Sequence, residues 1–257
     1  MRILGLMMVR NGQRKLNVTL SGMSEYCDAI YVLNDRSTDD THVVCMQFPK
    51  VANVFTADPG ISQQDWFFPE SAMYNLLYRM ADLYRPDWII QLDDDEYITP
   101  AVRVREVLQA VPPNVSCVKF PKVSAWNDPE YPMLVPLMGK ATNISAAAWR
   151  WYPGLKAGEQ PLHNPRLPLN IHDHGEVMIS RELQFVHQGW DTLEKRIGAV
   201  NKYFALDPEA HCNHGVPYDK GLLFGYSRDQ VNLLIEEYRH RYAEMSGAYD
   251  FIPTASK

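Results

Sequence analysis

The 257-residue sequence lacks the features that would place it in a membrane or on a nucleic acid. None of its apolar runs approaches the roughly 20 residues that a membrane-spanning helix requires. It has no surplus of basic residues either, since 25 Lys and Arg stand against 31 Asp and Glu and give a net charge of −6. Nucleic-acid-binding surfaces are basic. We therefore expect neither a transmembrane segment nor a nucleic-acid partner.

Cysteine is scarce, and its spacing does not indicate a disulfide framework. The four cysteines are Cys27, Cys45, Cys117 and Cys212. They are widely separated, and no pair has the spacing of metal ligands. A reducing compartment is the simplest assumption, so we predict a cytoplasmic protein. The apolar stretch at residues 2–9 is short and lacks a small-residue cleavage site, so it predicts a first buried strand rather than a secretory leader.

The sequence does contain a regular alternation of strands and helices in its first half. Predicted strands cover residues 2–9, 29–33, 51–56, 88–92 and 115–124, and predicted helices cover 13–28 and 70–84. This alternation predicts an α/β fold with a parallel sheet and helices on both faces. We expect a single domain over residues 1–257, with a regular first half at 1–124 and a second half at 125–257.

The regularity ends after about residue 125. Residues 126–170 are rich in Pro, Trp and Tyr, and a loop region of this length is more often a binding surface than a linker. The alternative is that its aromatic residues are ordinary core. Further along, 183–186 reads as a strand and 191–204 and 227–244 read as helices. Residues 211–214 lie among Pro and Gly, which favours a loop that closes over the active site.

Four consecutive acids, Asp93, Asp94, Asp95 and Glu96, follow the apolar strand at 88–92 and are called the acid run below. Carboxylates packed this closely repel one another, and a divalent cation would relieve that repulsion. Ligands of open α/β sheets bind at the carboxyl ends of the strands. The acid run therefore predicts a metal-assisted site. The alternative is a solvated loop or the first turn of a helix that begins at Pro100.

Two further motifs stand at predicted strand ends, Met8–Asn11 after the first strand and Asn34–Asp39 after the second. Together with the acid run they resemble the family 2 glycosyltransferases of GT-A fold, in which the acid run corresponds to the DxD motif. The resemblance covers about the first 100 residues. It departs from the family pattern at two positions. Gly12 stands where the family usually has an acid, and Arg36 stands where it usually has Gly.

The resemblance implies roles for the residues of these motifs. Asp35 would bind the nucleotide base, Val9 and Asn11 would line the base and ribose, and Arg36 would place a cation near the phosphates. Asp93 or Asp94 would contact the ribose and a metal-bound water. Asp95, with Asp93 as a further candidate ligand, would hold Mn²⁺ or Mg²⁺ against the diphosphate of the donor.

Later motifs are similar to those of bacterial members that modify lipopolysaccharide cores. They are Tyr152-Pro153, Arg166-Leu167, His172-Asp173, Phe185-Val186-His187 and Lys202-Tyr203. From this pattern we assign His187 as a metal ligand or diphosphate contact. An inverting transfer needs a base, for which Asp173 is the first choice and Glu176 and Asp128 are alternatives. An acid between two histidines can equally form a surface salt bridge.

The sequence thus predicts a metal-dependent, inverting, hexosyltransferase-like glycosyltransferase that moves a sugar from a nucleotide diphosphate, most simply UDP, to a hydroxyl of a glycan or glycoconjugate. A membrane-borne acceptor would bring the protein into peripheral contact with a membrane. Two alternatives stay open. One is a nucleotidyltransferase on a related sheet, which would release pyrophosphate. The other is a nucleotide-sugar-binding module without catalysis.

Overall fold

The computed structural model describes residues 1–56, 70–127, 132–135, 144–159 and 166–188. The chain divides into two units, Met1–Pro121 with Ile144–Val186, and Lys122–Asn143 with His187–Lys257. The first unit holds nearly all of the elements described below. In the second unit, Ser124–Asn127 pair in antiparallel fashion with Pro132–Val135. The predicted helices at 191–204 and 227–244, the loop at 211–214 and the candidate base Asp128 lie outside the described residues.

The described residues form ten strands and four α-helices. The strands are β1 (Ile3–Val9), β2 (Ala29–Asn34), β3 (Val51–Thr56), β4 (Trp88–Asp93), β5 (Glu96–Thr99), β6 (Val115–Asn127), β7 (Pro132–Val135), β8 (Ile144–Arg150), β9 (Glu176–Ile179) and β10 (Gln184–His187). The helices are α1 (Leu16–Tyr26), α2 (Thr41–Met46), α3 (Glu70–Tyr84) and α4 (Val104–Gln109). Short 3₁₀ turns lie at Ala101–Arg103 and Ile171–Asp173.

Four parallel strands in the order β3-β2-β1-β4 make up the first half of the sheet. This confirms the predicted alternation. Beyond β4 the sheet becomes mixed, because β8 pairs with β4 in antiparallel fashion and β6 pairs with β8 in the same way. Strand β6 therefore runs in the same direction as β4. The sequence analysis placed no strand at β8, which lies in the stretch that Pro residues interrupt.

The central strands are buried on both faces, which explains their nearly continuous apolar sequences. On one face, alternate residues of β4 (Trp88, Ile90 and Leu92) pack in a cluster with α1, α2 and α4. On the other face, Ile89 packs in a cluster with α3 and with Trp149 of β8. The structure thus confirms the prediction of helices on both faces of the sheet.

The segment after the acid run differs from the helical alternative. Strand β5 begins at Glu96 itself, and the 3₁₀ turn that leads into α4 begins only at Ala101. The acid run is therefore a turn between two strands. Alternating burial along β5, in which Glu96 and Ile98 are buried, indicates why a strand forms there.

The described part of the chain includes no helix with the length and apolar character needed to cross a bilayer. Cys27, Cys45 and Cys117 are buried free thiols, and Cys212 lies outside the described residues. The cytoplasmic location stays a prediction.

Helix α1 offers a direct test of this packing. Leu20 is fully buried against the sheet, whereas Val18 on the same helix is half exposed. We expect Leu20→Ala to lower the free energy of unfolding by about 2–5 kcal/mol, because it leaves a cavity in the core. Val18→Ala should change it by less than about 0.5 kcal/mol. Urea denaturation of both variants measures the difference, and equal losses would contradict the described burial of α1.

Candidate functional site

The register of the parallel strands brings the three sequence motifs to one edge of the sheet. Met8 pairs with Asp93 across β1 and β4, and Val9 pairs with Asn34 across β1 and β2. The segments that leave β1, β2 and β4 therefore begin side by side at the carboxyl edge. This is the edge at which open α/β sheets bind ligands.

The segments after β1 and β2 are tied together by hydrogen bonds. The backbone N–H of Asn11 donates to Ser37 Oγ over 2.9 Å, and the N–H of Thr38 donates to Asn11 Oδ1 over 2.8 Å. The N–H of Gly12 donates to Thr41 Oγ1 over 2.9 Å. Asn11 has a φ of 52°, a conformation that Asn tolerates better than most residues. The side-chain oxygen of Asn11 thus fixes the loop after β2, and its predicted contact with the ribose stays a prediction.

Asp35 lies between two arginines at this edge. Arg36 Nε donates to Asp35 Oδ1 over 2.7 Å, and Arg10 Nη1 lies 3.7 Å from Asp35 Oδ2. The Arg36 side chain is only 4% exposed, and its backbone has a φ of 53°. A left-handed conformation costs a residue with a Cβ roughly 1–2 kcal/mol. The carboxylate predicted to bind the base is therefore held by guanidinium groups before any ligand arrives.

A buried arginine binds the first and the last residue of the acid run. Glu96 is fully buried, and its carboxylate accepts a hydrogen bond of 2.8 Å from the backbone N–H of Asp93. Arg166 Nη2 lies 2.7 Å from Glu96 Oε1 and 2.5 Å from Asp93 Oδ2. Arg166 Nη1 forms a further ion pair with Glu96. The first and last acids of the run therefore share one guanidinium group.

The surroundings of Arg166 keep it charged and in place. Its side chain is 13% exposed, and its Cζ lies 5.4 Å from the ring centroid of Phe185. Its backbone oxygen accepts a 2.6 Å hydrogen bond from the Tyr78 hydroxyl on α3. Burial alone would lower the pKa of Arg166, but the carboxylates of Asp93 and Glu96 outweigh it and raise that pKa well above its usual value.

The sequence analysis expected a bound cation to relieve the repulsion within the acid run. The structure shows that Arg166 also offsets the charge of two of the four acids, Asp93 and Glu96, from within the chain. The bound cation stays a prediction. The signal was present in the Arg166-Leu167 motif, to which no role was given. The motif lies 70 residues beyond Glu96, and only the folded chain shows that the two meet.

The middle of the acid run packs against α1 and the end of β1. The Thr19 hydroxyl donates to the backbone oxygen of Asp94 over 2.8 Å. A Cβ atom added to Gly12 would lie 2.6 Å from Asp94 Oδ2 and 2.5 Å from Val9 Cγ2. No side chain fits there without a shift. This gives a physical reason for Gly12 at a position where the family that the sequence resembles usually has an acid.

The candidate bases Glu176 and Asp173 belong to the other end of the sheet. Strand β9 begins at Glu176, which lies opposite Val115 at the start of β6. Trp149 of β8 pairs with Cys117 of β6 on one side and with Ile89 of β4 on the other. Cys117 and Ile89 therefore lie at the same height along the strand direction. The start of β6 therefore lies level with the start of β4, at the amino-terminal edge of the parallel strands.

The distance from this level to the acid run is large. Val115 precedes Cys117 by two residues, and Asp93 follows Ile89 by four, so about 20 Å separates them along the strands at about 3.3 Å per residue. Asp173 is exposed and only three residues before Glu176, which limits its reach to about 10 Å from there. The structure does not bring either carboxylate to the acid run, and the register does not support them as the base of this site.

The candidate metal ligand His187 is the last residue of β10. In the order of the sheet, β10 stands between β6 and β5. The strand predicted at 183–186 is thus confirmed with a shift of one residue. The role of His187 stays a prediction.

Gly12 provides a test of how tightly the acid run packs. We expect Gly12→Ala to lower the free energy of unfolding by about 1–3 kcal/mol, because its methyl group would overlap Asp94 and Val9. Gly12→Asp should cost more, since it adds a like charge beside Asp94. The control is Gly22→Ala in α1, where a Cβ would meet nothing closer than 3.9 Å. It should gain about 0.5–1 kcal/mol. Urea denaturation distinguishes them, and a neutral Gly12→Ala would contradict the close approach.

Comparison with known proteins gives relatives of this chain in mycobacteria. No family model matches the chain. Uncharacterized proteins of Mycobacterium tuberculosis and Mycobacterium bovis are each 46% identical to it over 241 residues, which are 94% of this chain and 59% of the relative. The chain thus spans about three fifths of the length of the curated relatives it matches.

Among solved structures, the chain is similar to TarS of Staphylococcus aureus. The fragment TarS 1–349 gives a TM-score of 0.50 at 12% identity, with 100% of this chain and 76% of that chain covered. A longer TarS structure gives 0.50 at 13% identity, with 100% and 46% covered. At this identity the likeness concerns the fold alone. Together with the observed sheet, it confirms the prediction that the chain has the GT-A fold.

Proposed function

We propose that the chain is a metal-dependent, inverting glycosyltransferase that uses a nucleotide-diphosphate sugar as its donor. The observation that carries this proposal is the meeting of three segments at the carboxyl edge of a GT-A sheet. The acid run after β4 lies beside the end of β1, and the segment after β2 carries Asp35 and Arg36. Carboxylates suit a divalent cation, and guanidinium groups suit phosphates.

The nucleotide would bind at the ends of β1 and β2. Asp35 would accept a hydrogen bond from the base, with Val9 and Asn11 next to the base and ribose. Arg36 and Arg10, which already contact Asp35, would add positive charge toward the diphosphate. TarS 1–349 has been solved in complex with UDP and with UDP-GlcNAc. These two ligands are therefore the first ones to test on this chain.

Mn²⁺ or Mg²⁺ would be held by Asp95, with Asp94 toward the ribose and a metal-bound water. Both are half-buried in the turn between β4 and β5, and oxygen ligands of this kind suit hard cations. Asp93 takes part in the ion pair with Arg166, so we assign it to the turn rather than to the metal. His187 at the end of β10 is the proposed further ligand. When bound, the metal would act as a Lewis acid that stabilises charge on the leaving diphosphate.

Asp128 is the base that we propose. The register sets Glu176 and Asp173 far along the strands from the acid run, which leaves Asp128 among the three candidate acids. It would take the proton of the acceptor hydroxyl during attack on the sugar. The acceptor would be a glycan or glycoconjugate bound by the Trp- and Pro-rich segment, and peripheral contact with a membrane-borne acceptor stays a prediction.

A donor assay tests the proposed reaction. With Mn²⁺ and UDP-GlcNAc or another UDP-sugar, we expect release of nucleoside diphosphate that EDTA abolishes. Asp95→Asn should lower turnover about 100-fold or more, since it removes charge where the leaving group develops its own. The control is Glu106→Gln, an exposed carboxylate on α4. Release of pyrophosphate would indicate nucleotidyl transfer instead, and full turnover by Asp95→Asn would refute the metal assignment.

A second series of variants tests the choice of base. Asp128→Asn should lower kcat by roughly 100-fold or more, in the range of general-base contributions, with little change in the KM of the donor. Asp173→Asn and Glu176→Gln should keep near-normal kcat, because the register places Glu176 far along the strands from the acid run. Steady-state kinetics with saturating acceptor measures all three. Loss of turnover in Asp173→Asn with normal turnover in Asp128→Asn would reverse the assignment.

A further inference from the structure

Arg166 touches the acid run, yet the proposed reaction gives it no task. We propose that Arg166 is a positioning residue, an internal counter-ion for Asp93 and Glu96 that fixes the β4–β5 turn and so sets the place at which the turn can hold a metal ion. This inference rests on the proposed function.

The hydrogen bonds around Glu96 show that its carboxylate serves the turn. One oxygen accepts the backbone N–H of Asp93 at 2.8 Å, and both oxygens face the guanidinium of Arg166. Glu96 is fully buried. Its ligand atom lies within 4.8 Å of that of Asp95, so Arg166 also fixes a carboxylate that could share a metal ion with Asp95. The buried Glu96 carboxylate therefore stabilises the β4–β5 turn through the backbone of Asp93.

The contact geometry requires an arginine rather than any cation. The Nη2 atom of Arg166 lies within hydrogen-bond distance of both Asp93 and Glu96, while Nη1 pairs with the second oxygen of Glu96. A planar fork with several donors can make these contacts at once, and an ammonium group cannot reproduce them. The hydrogen bond from Tyr78 to the Arg166 backbone connects this fork to α3. Through Arg166 the turn is thus connected to α3.

The effect on charge is as important as the effect on shape. The guanidinium of Arg166 offsets part of the negative charge of the acid run and holds Asp93 and Glu96 in one arrangement. Without Arg166, a divalent ion would be attracted more strongly to the run, but the carboxylates would no longer be fixed in place. We therefore expect tight yet misplaced metal binding when the guanidinium is removed.

Arg103 offers a matched control. Its guanidinium also contacts two carboxylates, those of Glu106 and Glu182, at 2.9 Å and 2.6 Å. Its side chain, however, is 43% exposed, compared with 13% for Arg166. Exposed ion pairs of this kind contribute little to stability. Arg103→Met therefore removes a similar group without touching the acid run.

The experiment compares Arg166→Met, Arg166→Lys and Arg103→Met in the full chain, at a temperature where circular dichroism shows each to be folded. The affinity for Mn²⁺ is measured by electron paramagnetic resonance, and turnover of the UDP-sugar is measured with saturating Mn²⁺. For Arg166→Met we expect kcat to fall at least tenfold while Mn²⁺ binds at least as tightly as in the wild type. Arg166→Lys should recover part of kcat, and Arg103→Met should match the wild type in both measurements.

Should Arg166→Met fail to fold, the variant Arg166→Met/Glu96→Gln removes the buried carboxylate together with its partner. It should fold and still show the loss of kcat. Weaker Mn²⁺ binding together with lower kcat, or an unchanged kcat, would overturn the positioning role. Either outcome with an active wild-type protein leaves the proposed function intact. A wild-type protein that neither binds Mn²⁺ nor turns over a donor would refute the proposed function, and this inference would fall with it.

Discussion

The ion pair between Arg166 and the two ends of the acid run is the constraint on which the candidate site depends. A buried strand cannot end in four unpaired carboxylates, because burial strongly disfavours isolated charge. The chain meets this constraint by placing one guanidinium group between Asp93 and Glu96. The turn between them can then expose Asp94 and Asp95 to ligand chemistry without depending on a metal for its shape. Removing one partner of such a buried pair typically costs about 3–5 kcal/mol, so the pair also sets a limit on which substitutions the turn tolerates.

The parallel sheet explains why this turn lies where a ligand could use it. Register pairs Met8 with Asp93 and Val9 with Asn34, so the ends of three strands meet without any long connection. The loops after β1 and β2 are then joined by hydrogen bonds that involve the side chains of Asn11 and Ser37. These bonds remove freedom that a ligand would otherwise have to restrict on binding. The site is therefore largely pre-formed by its backbone.

The sequence predicted the first half of the fold well because that half is repetitive and local. Strands β1, β2 and β4 have apolar runs that need burial on both faces, and α1 and α3 have apolar residues at helical spacing. Strand β8 could not be predicted in the same way, since its pairing with β4 is a long-range contact and its surroundings are rich in Pro. The role of Arg166 was hidden for a similar reason. Its partners lie about 70 residues earlier, and nothing in the local sequence relates an arginine after a Pro-rich stretch to the acid run.

The same reasoning explains why Asp173 and Glu176 were reasonable candidates from the sequence. They stand among histidines in a motif that resembles one from known enzymes. Sequence spacing alone does not show at which end of the sheet such residues lie. The register of β9 against β6 shows that Glu176 lies at the amino-terminal edge of the parallel strands. Tyr152, from the same group of late motifs, stacks on His174 with ring centroids 4.0 Å apart. This part of the motif therefore has a packing role in the structure.

The sequence differs from the family pattern that it resembles at two positions, and both differences change the charge in the same direction. Relative to that pattern, Gly12 lacks one negative charge and Arg36 adds one positive charge, so together they shift the carboxyl edge by +2. Position 36 is an arginine, although its φ of 53° would suit glycine better. Gly12 gives the space in which the Asp94 carboxylate approaches β1. Less negative charge at this edge would favour the proposed diphosphate ligand, since like charges within a few ångströms interact strongly where water is scarce. The two differences therefore act in the same direction on a negatively charged ligand.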